Sequence, residues 1–258
     1  MRDVTGPIIA LYDEFDYSFC PSKSPNSPHH PIRRQLDLRA GSDAEGNGVP
    51  GSPEEEATAG KTIYLQVLER LHRELAPSSY LEIGVRHGIS LSLARCPALG
   101  ADPNQEVNRE LPETTEVVCL TSDEFFKDRA TNVSPDLTFI DGMHLSKYSL
   151  RDFMNVERCS PPGAVVVFVD VFPNHPLQAN RVRASQVWTG DVWRVADILT
   201  RLRSDFLLPI DTAPTGLLPG RGSRSGQPRA LGRLRSNCSR SHQQSGPTAR
   251  GPIKARCD

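Results

Sequence analysis

LTFIDGMHLSKYSLRDFMNVERCSPPGAVVVFVD, residues 137–170, reads as strand, helix, strand. LTFID and AVVVFVD are short apolar runs without a polar face, the pattern of strands covered on both sides. Residues 146–158 between them read as a helix. A strand that returns through a helix to another buried strand is the unit of a parallel, open α/β sheet.

The same alternation continues outward. Residues 61–76 (KTIYLQVLERLHRELA) place Leu65, Leu68, Leu71 and Leu75 at helical spacing before a Pro77 stop. YLEIG (80–84) reads as a buried strand, ISLSLARC (89–96) as a short helix, 98–102 as a weak strand and EVVCLT (116–121) as a stronger one. Ser122 is placed to cap a helix through DEFFKDRA, and Asp191 to cap an amphipathic helix over 191–204. Residues 206–210 and 215–218 read as closing strands. The expected class is α/β, a Rossmann-like, doubly wound, mostly parallel sheet with helices on both faces.

The ends of the chain lack this pattern. Residues 1–60 are rich in turn formers, with only 7–19 (PIIALYDEFDYSF) apolar enough to dock, and are expected to form a flexible arm. Residues 221–258 carry eight arginines and Lys254 against Asp258 alone, and read as a basic, disordered tail. The organised segment is thus expected over 61–220. Across 258 residues the formal net charge is -1, which argues against a dedicated nucleic-acid binder and leaves a weak contact by the tail open. Mean hydropathy is -0.42, and no apolar run approaches the ~20 residues of a membrane span. No secretory-length apolar segment builds before Asp13 and Glu14, so a cytoplasmic chain is expected. The six cysteines show no paired close spacing and suggest neither a zinc ribbon nor a disulfide framework.

In an open α/β sheet, ligands bind beyond the carboxyl ends of the strands. Acidic residues collect there: Glu82, Asp102, Asp123 after Ser122, Asp141 and Asp170. Any one of them is common in a turn or a helix cap; five in register point to a ligand. Gly84 and Gly88 permit a tight strand-to-helix turn, and Asp102 follows Glu82 by 20 residues, where a nucleotide fold places its ribose-binding acid. A dinucleotide and S-adenosylmethionine both fit that spacing. Glu82 beside the loop, and Arg86 where a second glycine would fall, disfavour a pyrophosphate and favour a ligand bearing ammonium and sulfonium charges.

YLEIGVRHGISLSLARC, ALGADPN, TSDEFF, DLTFIDGMHLSKYSLRDFMN, AVVVFVDVFPNH and GDVWR occur in one order. In them the segment resembles class I S-adenosylmethionine-dependent methyltransferases, in particular a bacterial subgroup whose fourth strand ends F-I-D-G-x-H. The resemblance implies a seven-stranded sheet with its last strand antiparallel. It implies that Glu82, Gly84 and Gly88 line the methionine half of the cofactor, that Asp102 holds the ribose and that Ser122 and Asp123 flank the adenine. The polar stretch after Asp102 and the loss of pattern after Gly220 depart from the family.

His144, three residues after Asp141, resembles by position the catalytic lysine of metal-dependent catechol-type O-methyltransferases, and imidazole titrates where a general base is needed. The bland alternative is a hydrogen bond within the loop. Asp141 and Asp170 can share a divalent cation, with Mg²⁺ the candidate. Val171 stands where catechol-type enzymes carry asparagine, so Asn174 or His175 would have to fold back to complete the set. His29, His30, His87 and His175 read as surface residues, Trp188 or Trp193 as a wall of the acceptor pocket. The expected activity is O-methylation of a small molecule, a sugar or secondary metabolite. Its alternatives are an idle S-adenosylmethionine- or nucleotide-binding module and an NAD-linked oxidoreductase. Oligomeric state is not legible.

Overall fold

The computed structural model describes residues 50–203, 206 and 209–221. The expectations for 1–49 and 222–258 lie outside the described residues.

The chain forms a six-stranded sheet in the order β4-β3-β2-β5-β6-β8. Its strands are β2 Tyr80–Ile83, β3 Ala98–Ala101, β4 Thr115–Val118, β5 Leu137–Ile140, β6 Val165–Val169 and β8 Leu217–Arg221. The first five are parallel in that order, and β8 pairs antiparallel with β6. A separate pair joins β1, Thr62–Ile63, to β7, Thr212–Ala213. The sheet therefore has six strands among the described residues, not seven. Instead of the closing strand expected over 206–210, Phe206 and Ile210 each make an isolated bridge to β8.

Side chains alternate across β6, and each face meets its own helices. Val166 and Phe168 pack with Phe125 and Phe126 of α2 (Ser122–Arg129), Phe153 and Val156 of α3 (Ser146–Cys159), and Val195 and Leu199 of α4 (Trp193–Leu202). Val165, Val167 and Val169 pack with Val67, Leu68 and Leu71 of α1 (Tyr64–Leu75) on the opposite face. The doubly wound expectation holds.

Local departures have local causes. The expected helix over 89–96 is a single 3-10 turn at Leu91–Leu93; Pro97 restricts the residue before it, and β3 begins at Ala98. Thr121, not Ser122, caps α2. Its hydroxyl accepts from the Glu124 N–H while the Glu124 carboxylate accepts from the Thr121 N–H, a capping box. Asp191 does not cap its own helix, which starts at Trp193. Its carboxylate accepts from the Ser146 N–H at 2.7 Å and pairs with Arg181, so it compensates the exposed amides that open α3.

Residues 50–60, assigned to the arm, are docked. The Glu56 carboxylate accepts from the N–H groups of Gln186 (2.9 Å) and Val187 (2.7 Å), and the Gln178 amide donates to the carbonyls of Glu55 and Ala57. No helix among the described residues is long and apolar enough to cross a membrane.

Candidate active site

The parallel strands end in register at Ile83, Ala101, Val118 and Ile140, with β6 ending one layer over at Val169. From β2 the chain winds outward to β3 and β4, and from β5 to β6, so the crevice of a doubly wound sheet lies between β2 and β5. A cavity of about 1000 Å³ opens there, lined by Gly84, Asp102, Ser122, Asp123, Asp141, His144 and Asp170. Four of the five strand-end carboxylates share this one edge.

Glu82 is the exception, with Gly88. Neither lines the cavity. Glu82 is fully buried behind the wall, its two oxygens accepting from the Tyr80 hydroxyl and the Ser90 hydroxyl, each at 2.7 Å. Burial raises its pKa to about 8, although both hydroxyl bonds oppose the rise. A glutamic acid kept protonated in the fold but ionised when unfolded makes stability fall as pH rises between about 4.5 and 8. The slope is about 1.4 kcal/mol per pH unit for one proton. Glu82→Gln, permanently neutral, is expected to abolish that slope. Chemical denaturation at pH 5, 6.5 and 8 reads it as the difference between variant and parent; parallel curves would contradict the buried, neutral acid.

Asp102 lines the cavity, but its Oδ2 accepts from the N–H groups of Val85 (2.9 Å) and Arg86 (2.8 Å) and its Oδ1 from Asn104 (2.7 Å). It thus braces the turn after β2, where Arg86 sits at φ 39°, a conformation that costs a non-glycine residue energy and clusters at functional sites. Asp123 pairs with Arg151 at 2.5 Å.

His144 stands between two carboxylates. Its Nδ1 lies 2.7 Å from the Trp188 carbonyl and 3.0 Å from Asp170 Oδ2, and its Nε2 3.5 Å from Asp141 Oδ1. Two acceptors at Nδ1 fix the proton there, so Nε2 is the basic nitrogen of the neutral ring. Burial alone would depress this imidazole, but the carboxylates of Asp170 and Asp141 outweigh it and raise its pKa well above the ordinary value. Burial also lifts Asp141 to about 6; the nearby Asp170 charge adds to this, and the His144 bond opposes it. The Thr215 hydroxyl donates to Asp170 Oδ1 at 2.5 Å. Trp188 stacks on His144 with centroids 5.1 Å apart and planes 8° off parallel. Close approach of this loop requires Gly190, at φ 55°, where a Cβ would collide with the His144 carbonyl.

Asp141, His144 and Asp170 each offer a donor atom, all within 4.8 Å of one another. The carboxylates of Asp141 and Asp170 at that spacing fit a divalent cation, which would displace the proton that burial makes Asp141 hold more tightly than usual. Asn174 and His175, which could complete the set only if their loop folded back, do not line the cavity. Asn174 donates to the Pro214 carbonyl, and His175 Nδ1 accepts from the Leu177 N–H. His87, read as a surface residue, lines the cavity. Trp188 is the tryptophan of the wall, while half-buried Trp193 lies under the Arg194 guanidinium at 4.8 Å. Sequence reasoning missed Tyr64, Tyr148, Arg151, Arg183 and Thr215, all in the lining; Tyr148 and Arg151 lie on the helix that follows β5, and the other three come from outside the strand-end motifs.

No family model and no curated protein matches the chain. Among solved structures, an O-methyltransferase so designated from Klebsiella pneumoniae is 17% identical over 62% of this chain and 80% of its own, with a TM-score of 0.49. The O-methyltransferase TomG of Streptomyces achromogenes, in complex with S-adenosylmethionine, is 20% identical over 62% and 80%, with a TM-score of 0.43. MycE of the mycinamycin pathway, in complex with Mg and S-adenosylhomocysteine, is 16% identical over 64% and 51%, also at 0.43. At these scores the overlaps carry no argument about activity, which rests on the site itself.

Proposed function

We propose that residues 61–220 form an S-adenosylmethionine-dependent O-methyltransferase domain acting on a small molecule in the cytoplasm. The observation that carries this reading is the one cavity edge that Asp102, Asp123, Asp141 and Asp170 all line, with His144 between Asp141 and Asp170. Clustered carboxylates favour a cationic ligand and oppose a pyrophosphate, and the deep crevice after β2 suits an adenosyl group. When bound, S-adenosylmethionine supplies a methyl group on a positively charged sulfur. Gly84, Asp102, Ser122 and Asp123 would hold it, with Glu82 bracing the β2 turn from behind through Ser90.

His144 Nε2 then takes the acceptor's hydroxyl proton, while Asp141 and Asp170 stabilise the imidazolium that forms. Asp170 and the Trp188 carbonyl hold the ring through Nδ1, so Nε2 is kept at the cavity side. A divalent cation, with Mg²⁺ the candidate, would be held by Asp141 and Asp170 and would lower the acceptor's pKa. Calorimetric titration with S-adenosylmethionine, S-adenosylhomocysteine and NAD tests the reading. Binding of the first two with micromolar dissociation constants, and none of NAD, is expected; binding of NAD alone would overturn it.

A further inference from the structure

We propose that residues 51–59 form a strap that sets the acceptor end of the cavity, with Glu56 and Gln178 as positioning residues for His144 and Asp170. This rests on the methyltransferase reading and extends its machinery to residues that touch no substrate. None of residues 50–63 lines the cavity, so the strap works through the segments that do.

Two segments close on the His144–Asp170 pair. The one ending at Gly190 brings Trp188, whose carbonyl lies 2.7 Å from His144 Nδ1 and whose ring stacks on the imidazole. The turn at 213–215 brings Thr215, whose hydroxyl donates to Asp170. The strap bonds to both. Glu56 Oε1 and Oε2 accept from the N–H groups of Gln186 (2.9 Å) and Val187 (2.7 Å), the two residues before Trp188. A charged acceptor makes the stronger bonds of this kind. Burial works to raise the Glu56 pKa, but the N–H groups of Val187, Gln186 and Gly51 and the Arg183 charge hold it below its ordinary value. Fully buried Gln178 ties the strap to the other side of Trp188. Its amide donates to the carbonyls of Glu55 (2.9 Å) and Ala57 (2.8 Å), while its own carbonyl accepts from the N–H groups of Thr189 and Gly190. The Ala59 N–H donates to the Pro214 carbonyl at 3.3 Å, and the Asn174 amide to the same oxygen at 2.9 Å, so strap and first segment meet on the turn that carries Thr215.

The cofactor end is built separately. Asp102 braces the turn after β2, and Ser122 and Asp123 open α2. A general base displaced by an ångström loses rate even where the partner molecule still binds. Loosening the strap therefore costs turnover and spares cofactor affinity.

The test uses the full chain with Glu56→Ala, and Glu54→Ala as control, which removes the same charge from an exposed neighbour on the strap. The chain has two tryptophans, Trp188 and Trp193, so a Trp193→Phe background isolates the emission of Trp188. Glu56→Ala is expected to shift that emission to the red and to make it more open to quenching by acrylamide. Labelled methyl transfer into a metabolite extract at saturating S-adenosylmethionine should fall ~10–10²-fold. Calorimetric affinity for S-adenosylhomocysteine should be unchanged, and Glu54→Ala should match the parent throughout. An unchanged Trp188 signal in Glu56→Ala, full turnover despite a loosened Trp188, or an equal loss in Glu54→Ala would overturn the strap's role. So would affinity for S-adenosylhomocysteine that falls in step with turnover. The Trp188 response in a chain that neither binds S-adenosylhomocysteine nor transfers methyl groups would retain the strap's hold on its loop and overturn the methyltransferase reading instead.

Discussion

Asp170→Asn is expected to lower methyl transfer by at least ~10²-fold while leaving the fold and S-adenosylhomocysteine affinity intact. Asn tolerates the left-handed backbone that Asp170 adopts at φ 65°, and its side-chain oxygen can still accept from Thr215. What it loses is the charge 3.0 Å from His144 Nδ1. Without that charge the imidazolium is less favoured, so His144 titrates lower. Its neutral form is the base, so activity rises with pH as the proton leaves. The rising limb of kcat/KM should therefore move to lower pH in Asp170→Asn than in the parent, even as the maximum falls. His144→Ala should cost ~10²–10⁴-fold and abolish the limb. The two losses should not add, because both variants disable one unit. Labelled methyl transfer from S-adenosylmethionine into a metabolite extract reads all three. Unchanged turnover in His144→Ala would remove the base, and additive losses would separate Asp170 from it.

The second large effect concerns stability. Arg203 and Glu157 form an ion pair at 2.6 Å with both side chains nearly inaccessible to water, and the guanidinium lies over the rings of Phe153 and Phe206. Breaking such a pair strands a buried charge. Arg203→Met is expected to cost ~3–5 kcal/mol, visible as a lower denaturant midpoint. Replacing both partners, as Arg203→Met/Glu157→Leu, should recover much of the loss, because the desolvated charges leave together. A double variant as unstable as the sum of its singles would contradict this, and would mean that each side chain matters for its packing alone.

The strand-end acids Asp141 and Asp170 are legible in the sequence because two unmistakable apolar runs, LTFI and VVVFV, deliver them to the same sheet edge. Glu82 obeys the same rule, yet its side chain turns inward, since Tyr80 and Ser90 supply hydroxyl donors behind the wall. Which face a strand-end carboxylate takes depends on partners that the pattern of its own strand does not contain. Asp191 teaches the same lesson. Its chemistry as a helix-capping anion is legible, but the helix it serves begins at Ser146, 45 residues earlier. The surroundings of His144 are equally non-local. Trp188, Gly190 and Thr215 reach it from loops whose course is set by Gln178, whose carbonyl gathers the N–H groups of Thr189 and Gly190, and by the segment through Glu56. Sequence periodicity carries the sheet; these loop contacts carry the acceptor side.

A structure of the chain crystallised with S-adenosylhomocysteine tests the central claim most directly. The account predicts the ligand stretched from Gly84 to Ser122 along the sheet edge, its sulfur turned toward Asp141, His144 and Asp170. A ligand bound elsewhere, or lying in the crevice with its sulfur pointing away from those three side chains, would contradict it.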